Sequence, residues 1–491
     1  MNDMLRLNLC QVKNALAKKE FSCVDLAKAY IAQGEKTQHL NAFVTRTNDH
    51  ALRMATESDG KIAAGDAGLL EGIPFAIKDA YCTKGVLTTA SSKMLYNFVP
   101  EYESSVTSAL WHHGAVMLGK TNLDEFCMGS TTTPEYTGAS YNPWNTDCTA
   151  GGSSGGSAVA VASGAALCAL GTDTGGSIRQ PASFCGIVGV RPTYGRCSRW
   201  GVTAFSSSLD SPGPFARTVS DAALVLQAIS GHDPKDATSL AMDVPCFDAL
   251  IGQSIRGMRI GIPRDVYDQA DLDPDVRAAW DKGLDIFKRA GCTVVPVSMP
   301  LNQHALSCYY VMTCAEAASN MARYDGVKYG FRADNISSLT DLYAKTRGQG
   351  FGAEVKRRIF IGTYVLSSGH YDAYYQKVQK LRQCIIHNFR QAFHDVDVFL
   401  TPTTPTPAFP LNSVGQDPVK MYLNDILTVP VNIGNTCAIS VPCGLSSQGL
   451  PMGLQVIAPH LCEERLFQFG AVLENECSMP ELPFCHGDNA S

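Results

Sequence analysis

Apolar positions follow two patterns along the chain. Short continuous apolar runs at 41–45, 73–77, 115–118, 166–170, 186–190, 258–262, 292–297, 396–401, 438–441 and 453–458 read as strands, most of them buried. Between them lie amphipathic stretches with helix signals. Ser22-Cys23-Val24-Asp25 reads as a capping box with Phe21 as its staple, opening a helix to about residue 33. Further helices are predicted over 49–63, 104–113, 156–163, from Ile178 onward, over 218–229 and over 463–474. Asp273-Pro274 opens another, with Gly291 as its stop. Residues 301–390 are mostly helical by period. Strands and helices alternate throughout, which predicts an α/β sheet covered by helices. No long repeat or low-complexity linker interrupts the pattern, so one domain over 1–491 is expected.

The composition, 45% hydrophobic and 18% charged, suits a globular protein with a large core. The net charge of −6 gives no sign of direct nucleic-acid binding, which favours basic surfaces, but leaves room for RNA held by a partner. The N-terminus lacks a basic stretch followed by an apolar run. The longest weakly polar stretch, 158–171, falls short of the roughly 20 residues that span a bilayer. No membrane contact and a cytoplasmic location are expected. Eighteen cysteines occur without any CxxC, so they are expected to be mostly reduced, buried and small-hydrophobe-like. No metal site is expected; His112-His113 reads as a helix end.

The densest chemistry lies at 150–186. Gly-Gly-Ser occurs at Gly151-Gly152-Ser153, Gly155-Gly156-Ser157 and Gly175-Gly176-Ser177, around an apolar middle that a flexible linker would lack. Ser177 is placed at the entrance of a helix. There it is either an N-cap or a hydroxyl beside an anion-binding turn, with the N–H groups of Thr174, Gly175, Gly176 and Ser177 able to meet a carbonyl oxygen. A phosphate loop does not fit, since no lysine follows Gly156. Lys78, at the end of the 73–77 run, either snorkels to the surface or is desolvated and so able to act as a neutral base.

The stretch GGSSGGSAVAVASGAALCALGTDTGGSIRQPASFCGIVGVRPTYG resembles the amidase signature family, and EGIPFAIKD, GKTNLDEFCMGST, SSLD and ISVPCG extend the likeness over most of the chain. The resemblance implies a single domain with a central mixed β-sheet covered by helices on both faces. Its catalytic core would occupy about 65–230 and 395–460, with a mostly helical segment at about 300–390. It implies amide hydrolysis with Ser177 as nucleophile, Ser153 held by a cis peptide bond, and Lys78 as base. Within the family, MGSTTTPEYTGASYNPWN, SRWGVTAFSSSLDSPGP, EVKRRIFIGTYVLSSGHYDAYY and DILTVPVNIG resemble the glutaminase subunits of tRNA-dependent amidotransferases. That likeness implies that glutamine is held by Arg358 (or Arg357) at its carboxylate and Asp425 at its ammonium, with Tyr309, Gly129 and Ser130 completing the pocket. It also implies a heterotrimer with partner B and C subunits, misacylated tRNA held mainly through the B partner, and ATP with Mg²⁺ at that partner, this chain carrying no cofactor. The alternatives are a free-standing amidase for small aliphatic or aryl amides and a catalytically silent scaffold. Four places depart from the family pattern: Ala150, Arg191, Ser211-Pro212 and Asn435-Thr436-Cys437.

Overall fold

The computed structural model describes residues 2–269, 271–415, 418–477 and 479–486. Its strands are β1 (Phe43–Arg46), β2 (Pro74–Lys78), β3 (Val116–Thr121), β4 (Tyr141–Asn142), β5 (Asn145–Thr149), β6 (Cys168–Thr172), β7 (Val188–Arg191), β8 (Pro212–Ala216), β9 (Arg259–Pro263), β10 (Thr293–Val297), β11 (Val398–Pro402), β12 (Cys437–Leu445) and β13 (Pro451–Ala458). Eleven form one mixed sheet in the order β1-β3-β2-β6-β8-β7-β12-β13-β11-β9-β10, and β4 with β5 forms a separate hairpin. Parallel pairing joins β3, β2 and β6 on one side and β11, β9 and β10 on the other. The strands between them pair antiparallel. The expected mixed α/β sheet flanked by helices is the fold observed.

The centre of the sheet is buried on both faces, which explains why its strands read as continuous apolar runs rather than alternating ones. Every residue of β2, β3, β6, β7, β8 and β13 is buried. Helix signals place most ends within a few residues. Ser22 and Asp25 form the reciprocal capping box of the helix Cys23–Lys36, and Thr218 caps Val219–Ile229. Asp273 caps Pro274–Arg289, whose Pro274 stands in the first turn. The 301–390 segment holds the helices Ala305–Met321, Leu339–Gly350 and Ala353–Leu366, a π turn at Tyr371–Gln376, and the start of Lys377–Asp395.

Beyond the β4–β5 hairpin and the short helices Asn2–Arg6, Arg264–Gln269 and Pro418–Leu423, three further elements are not predicted by the apolar pattern. The helix Leu9–Ala17 has its own capping box from Asn8 and Gln11. Strand β8, Pro-Gly-Pro-Phe-Ala, sits inside the sheet despite two prolines, a composition that argues against a central strand. The third is the short helix Val429–Ile433, which begins at Val429-Pro430. Cys443 and Cys477 form a disulfide between the end of β12 and the residue after the last long helix; the other cysteines are free and mostly buried. Among the described residues no helix is long and apolar enough to cross a membrane.

Candidate active site

Lys78 is the last residue of β2, so its backbone is fixed by ladder hydrogen bonds and its side chain extends under the 151–157 turn. It does not snorkel: it is fully buried. Its Nζ lies 2.8 Å from each of three hydroxyls, Ser153 Oγ, Ser154 Oγ and Thr172 Oγ1. Burial pushes its pKa down, against the opposing pull of Cys127 and Asp124. A lysine so placed is held by neutral acceptors with no carboxylate bonded to it, which is what lets it lose its proton.

The peptide bond between Gly152 and Ser153 is cis. The turn that carries it is tightly enclosed. Gln180 Oε1 accepts from the Gly152 N–H at 2.8 Å, Thr132 donates to the Gly151 carbonyl at 2.8 Å, and Ser153 O accepts from the Asp124 N–H at 3.2 Å. A side chain at Gly152 would lie 2.1 Å from Asp124 Oδ2, so only glycine fits. The Ser154 N–H donates to Ser177 O at 3.2 Å, which joins the two serine turns directly.

Ser177 precedes the helix Arg179–Cys185, whose N-cap is Ile178 and has no side-chain cap bond; Ser177 is therefore not the cap. Its Oγ has no hydrogen-bond partner among the described residues, and the residue is 8% exposed. The turn before it is organised by Asp173. That carboxylate accepts from the Gly176 N–H at 3.0 Å, from Arg179 Nε and Nη2 at 3.0 Å, and from Asn432 Nδ2 at 2.9 Å. Burial would raise the Asp173 pKa, but Arg179, then Arg191, outweigh it and hold the carboxyl at about 2. The Gly176 N–H is thus committed to a carboxylate, which removes it from the expected oxyanion set. The N–H groups of Thr174, Gly175 and Ser177 have no such partner among the described residues.

Thr428, at the head of the Val429–Ile433 helix, donates to Gly175 O at 2.7 Å and would clash with any Cβ on Gly176, whose φ is +138°. Tyr309 packs on the other side: a Cβ at Gly175 would lie 2.6 Å from its Cζ. Asp425 lies one turn before Thr428, whose N–H donates to Asp425 O at 3.1 Å. Tyr310 donates to Asp425 Oδ2 at 3.5 Å. Asp425 keeps some accessible surface, yet burial around its carboxyl pushes the pKa to about 7 against the nearby Arg358.

The two arginine candidates separate clearly. The Arg357 side chain is 46% exposed and pairs with Glu354. Arg358 is buried, bonds Glu354 Oε1 at 2.8 Å through Nε, and stands over the rings of Phe205, Tyr310 and Tyr422 at 5.4, 5.5 and 5.9 Å. A cleft of about 240 Å³ is lined by Asp124, Gly129, Ser130, Arg357, Arg358 and Tyr422. A larger and more apolar cavity of about 320 Å³, between Met299, Phe389, Phe399 and Leu427, contains none of the expected site residues.

Sequence reasoning missed the supporting shell: Ser154, Thr172, Asp124, Gln180, Thr428, Asn432 and Gln455. Only Ser154 carried a local signal, as the neighbour of Ser153 in the glycine-rich turn. The two departures at Arg191 and Thr436 meet each other: Arg191 Nη1 donates to Thr436 O at 2.6 Å, while its Nε lies 3.6 Å from Asp173.

Residues 25–467 match the amidase family. The chain is 51% identical over 488 residues to the A subunit of the glutamyl-tRNA(Gln) amidotransferase of Parvibaculum lavamentivorans, covering 98% of this chain and 99% of that one. The crystal structure of the A subunit of the Thermotoga maritima glutamyl-tRNA(Gln) amidotransferase superposes with a TM-score of 0.73 at 39% identity, over 85% of this chain and 87% of the other. The native peptide amidase of Stenotrophomonas maltophilia superposes with a TM-score of 0.83 at 27% identity, over 98% and 99% of the two chains.

Proposed function

The chain belongs to the amidase family, and from that premise we propose that it is the glutamine-hydrolysing subunit of a tRNA-dependent amidotransferase. One observation carries the choice of glutamine. Arg358 and Asp425, a guanidinium and a carboxyl, meet at Tyr310: Arg358 stands over its ring at 5.5 Å and its hydroxyl donates to Asp425 Oδ2 at 3.5 Å. A free α-amino acid presents a carboxylate and an ammonium, and recognising it requires both charges. A simple amide requires neither.

In this reading Arg358 holds the α-carboxylate, Asp425 the α-ammonium, and Tyr309 with the Gly129-Ser130 turn walls the rest. Neutral Lys78 takes the proton of Ser153 as Ser153 takes that of Ser177, and Ser177 Oγ bonds the amide carbon. The N–H groups of Thr174, Gly175 and Ser177 face the oxyanion. The relay then returns a proton to the departing nitrogen, ammonia leaves, and water cleaves the acyl-enzyme along the same path reversed. The ammonia serves the amidation of Glu-tRNA(Gln), or Asp-tRNA(Asn), at a partner B subunit that uses ATP and Mg²⁺, with a small C subunit completing a heterotrimer. The likeness to proteins named for that enzyme supports this assignment.

The second reading, a free-standing amidase, is favoured by the close superposition on a peptide amidase. The test is ammonia release from glutamine by the purified chain, alone and with co-purified B and C subunits, beside Ser177→Ala. Turnover that rises with the partners and is abolished in Ser177→Ala is expected. Full turnover of simple amides by the chain alone, with glutamine ignored, would replace the first reading by the second.

A further inference from the structure

The three hydroxyls around Lys78 are equivalent in distance but not in the direction of their protons. Ser154 Oγ accepts from Lys78 Nζ at 2.8 Å and from the Thr172 N–H at 3.3 Å, and its own proton goes to Thr172 O at 3.2 Å. Thr172 Oγ1 accepts from Lys78 Nζ at 2.8 Å and donates to Cys127 Sγ at 3.6 Å. Burial raises the Cys127 pKa, so the sulfur stays a neutral thiol with lone pairs to offer. Ser153 Oγ alone has no acceptor for its proton among the described residues other than Lys78 itself.

A charged lysine donates three N–H bonds, and all three hydroxyls accept one. A neutral lysine has two N–H groups and one lone pair. Ser154 and Thr172 have their protons committed elsewhere, so they can only accept, and they retain the two N–H groups. The lone pair is left pointing at Ser153.

We propose that Thr172, with Cys127 as the acceptor of its proton, is a positioning residue that aims the lone pair of neutral Lys78 at Ser153. The proposal rests on the hydrolytic reading above and goes further by assigning why the proton moves along one of three equal contacts. Neither residue touches substrate. Thr172 acts through Lys78, and Cys127 acts through Thr172 as well as bearing directly on Lys78. The charged or titratable groups around Lys78 are Cys127, Asp124 and Asp210. Asp124 accepts from the Thr131 and Thr133 N–H groups, and Asp210 accepts from Thr174 and the 205–206 backbone, so the two carboxylates are otherwise engaged. With the sulfur removed, the Thr172 proton is free to turn onto the lone pair and block it.

The test measures ammonia release from glutamine across pH for the holo-complex carrying Thr172→Val, Thr172→Ser, Cys127→Ala or Cys127→Ser, beside Ser177→Ala. Thr172→Val is expected to lower kcat about tenfold or more with KM within about twofold, and Thr172→Ser to recover most of it. Cys127→Ala is expected to lower kcat about threefold to tenfold, and Cys127→Ser, which keeps an acceptor, to restore it. The loss must persist on the high-pH plateau, where Lys78 is neutral in every variant. A loss that disappears at high pH means that the pair only tunes protonation, and overturns the proposal. Wild-type kcat in both Cys127→Ala and Thr172→Val, with Ser177→Ala inactive, also overturns it and leaves the hydrolytic reading standing. Activity that survives in Ser177→Ala would remove the hydrolytic reading itself. The two Cys127 variants keep the test decisive if Thr172→Val does not fold.

Discussion

Asp425 shows how one residue's surroundings set a pH dependence. Burial raises its carboxyl to about 7, so it is ionised at pH 8 and largely neutral at pH 6. An α-ammonium is held only by the ionised form. The KM for glutamine is therefore expected to rise as pH falls below about 7, approaching tenfold per unit at the limit, with kcat changing less. Asp425→Asn is expected to show a raised KM that no longer varies over this range. Initial rates at pH 6 to 8.5 for both proteins check it, and an unchanged KM profile in wild type would remove Asp425 from the ammonium site. Lys78 is the opposite case: burial favours its neutral form, and three hydroxyls stand in for the water it has lost.

At the scale of elements, the Ser177 turn is held between two pieces of chain distant in sequence, the Ala305–Met321 helix through Tyr309 and the segment leading into Val429–Ile433 through Thr428. Gly175 is the point of contact. Gly175→Ala would put a methyl carbon 2.6 Å from the Tyr309 ring, closer than side chains tolerate, so either the ring or the turn moves. Glutamine turnover is expected to fall about a hundredfold, since a shift of about 1 Å at a reacting group has that order of effect. Gly175→Ala combined with Tyr309→Ala restores space and is expected to recover part of the kcat. A single Gly175→Ala variant with wild-type turnover would mean that the Tyr309 contact does not hold the turn. Helix caps and glycine turns such as these are written locally, which is why 22–25, 218–221 and 273–274 were legible. Strand β8 was not, because its place inside the sheet depends on β6 and β7 offering pairing partners, and its prolines point the local reading the other way.

At the scale of the molecule, the Asp173–Arg179 pair ties together parts of the chain more than 250 residues apart. Arg179 bonds Asp173, Thr428 O, Asn432 Oδ1 and Gln455 Oε1, so β13 and the Val429–Ile433 helix converge on the Ser177 turn. All of these charges are buried. Asp173→Asn would leave Arg179 and Arg191 uncompensated, with an expected loss of about 3–5 kcal/mol in stability. A denaturant melt of the variant measures it, and a loss under about 1 kcal/mol would show that the pair is not holding the core. The Asp173 pKa is depressed to about 2 in the folded protein against about 3.9 when unfolded. Its contribution, on the order of 2–3 kcal/mol, is therefore complete above about pH 4 and lost as pH falls through about 2.

The sequence by itself determined the alternation of strands and helices, most element positions, and the serine and lysine types at the centre, because apolar period, capping residues and glycine-rich turns act over a few residues. It also carried the family likeness, through a long motif around Ser153 and Ser177. Only the tertiary structure decided which of Arg357 and Arg358 is enclosed, that Ser177 is not a helix cap, and that the Gly176 N–H is taken by Asp173. It alone placed Thr172 and Cys127 around the lysine. These contacts join residues tens to hundreds of positions apart, and a hydrogen bond's partner depends on where the sheet brings the chain together, which no local pattern records.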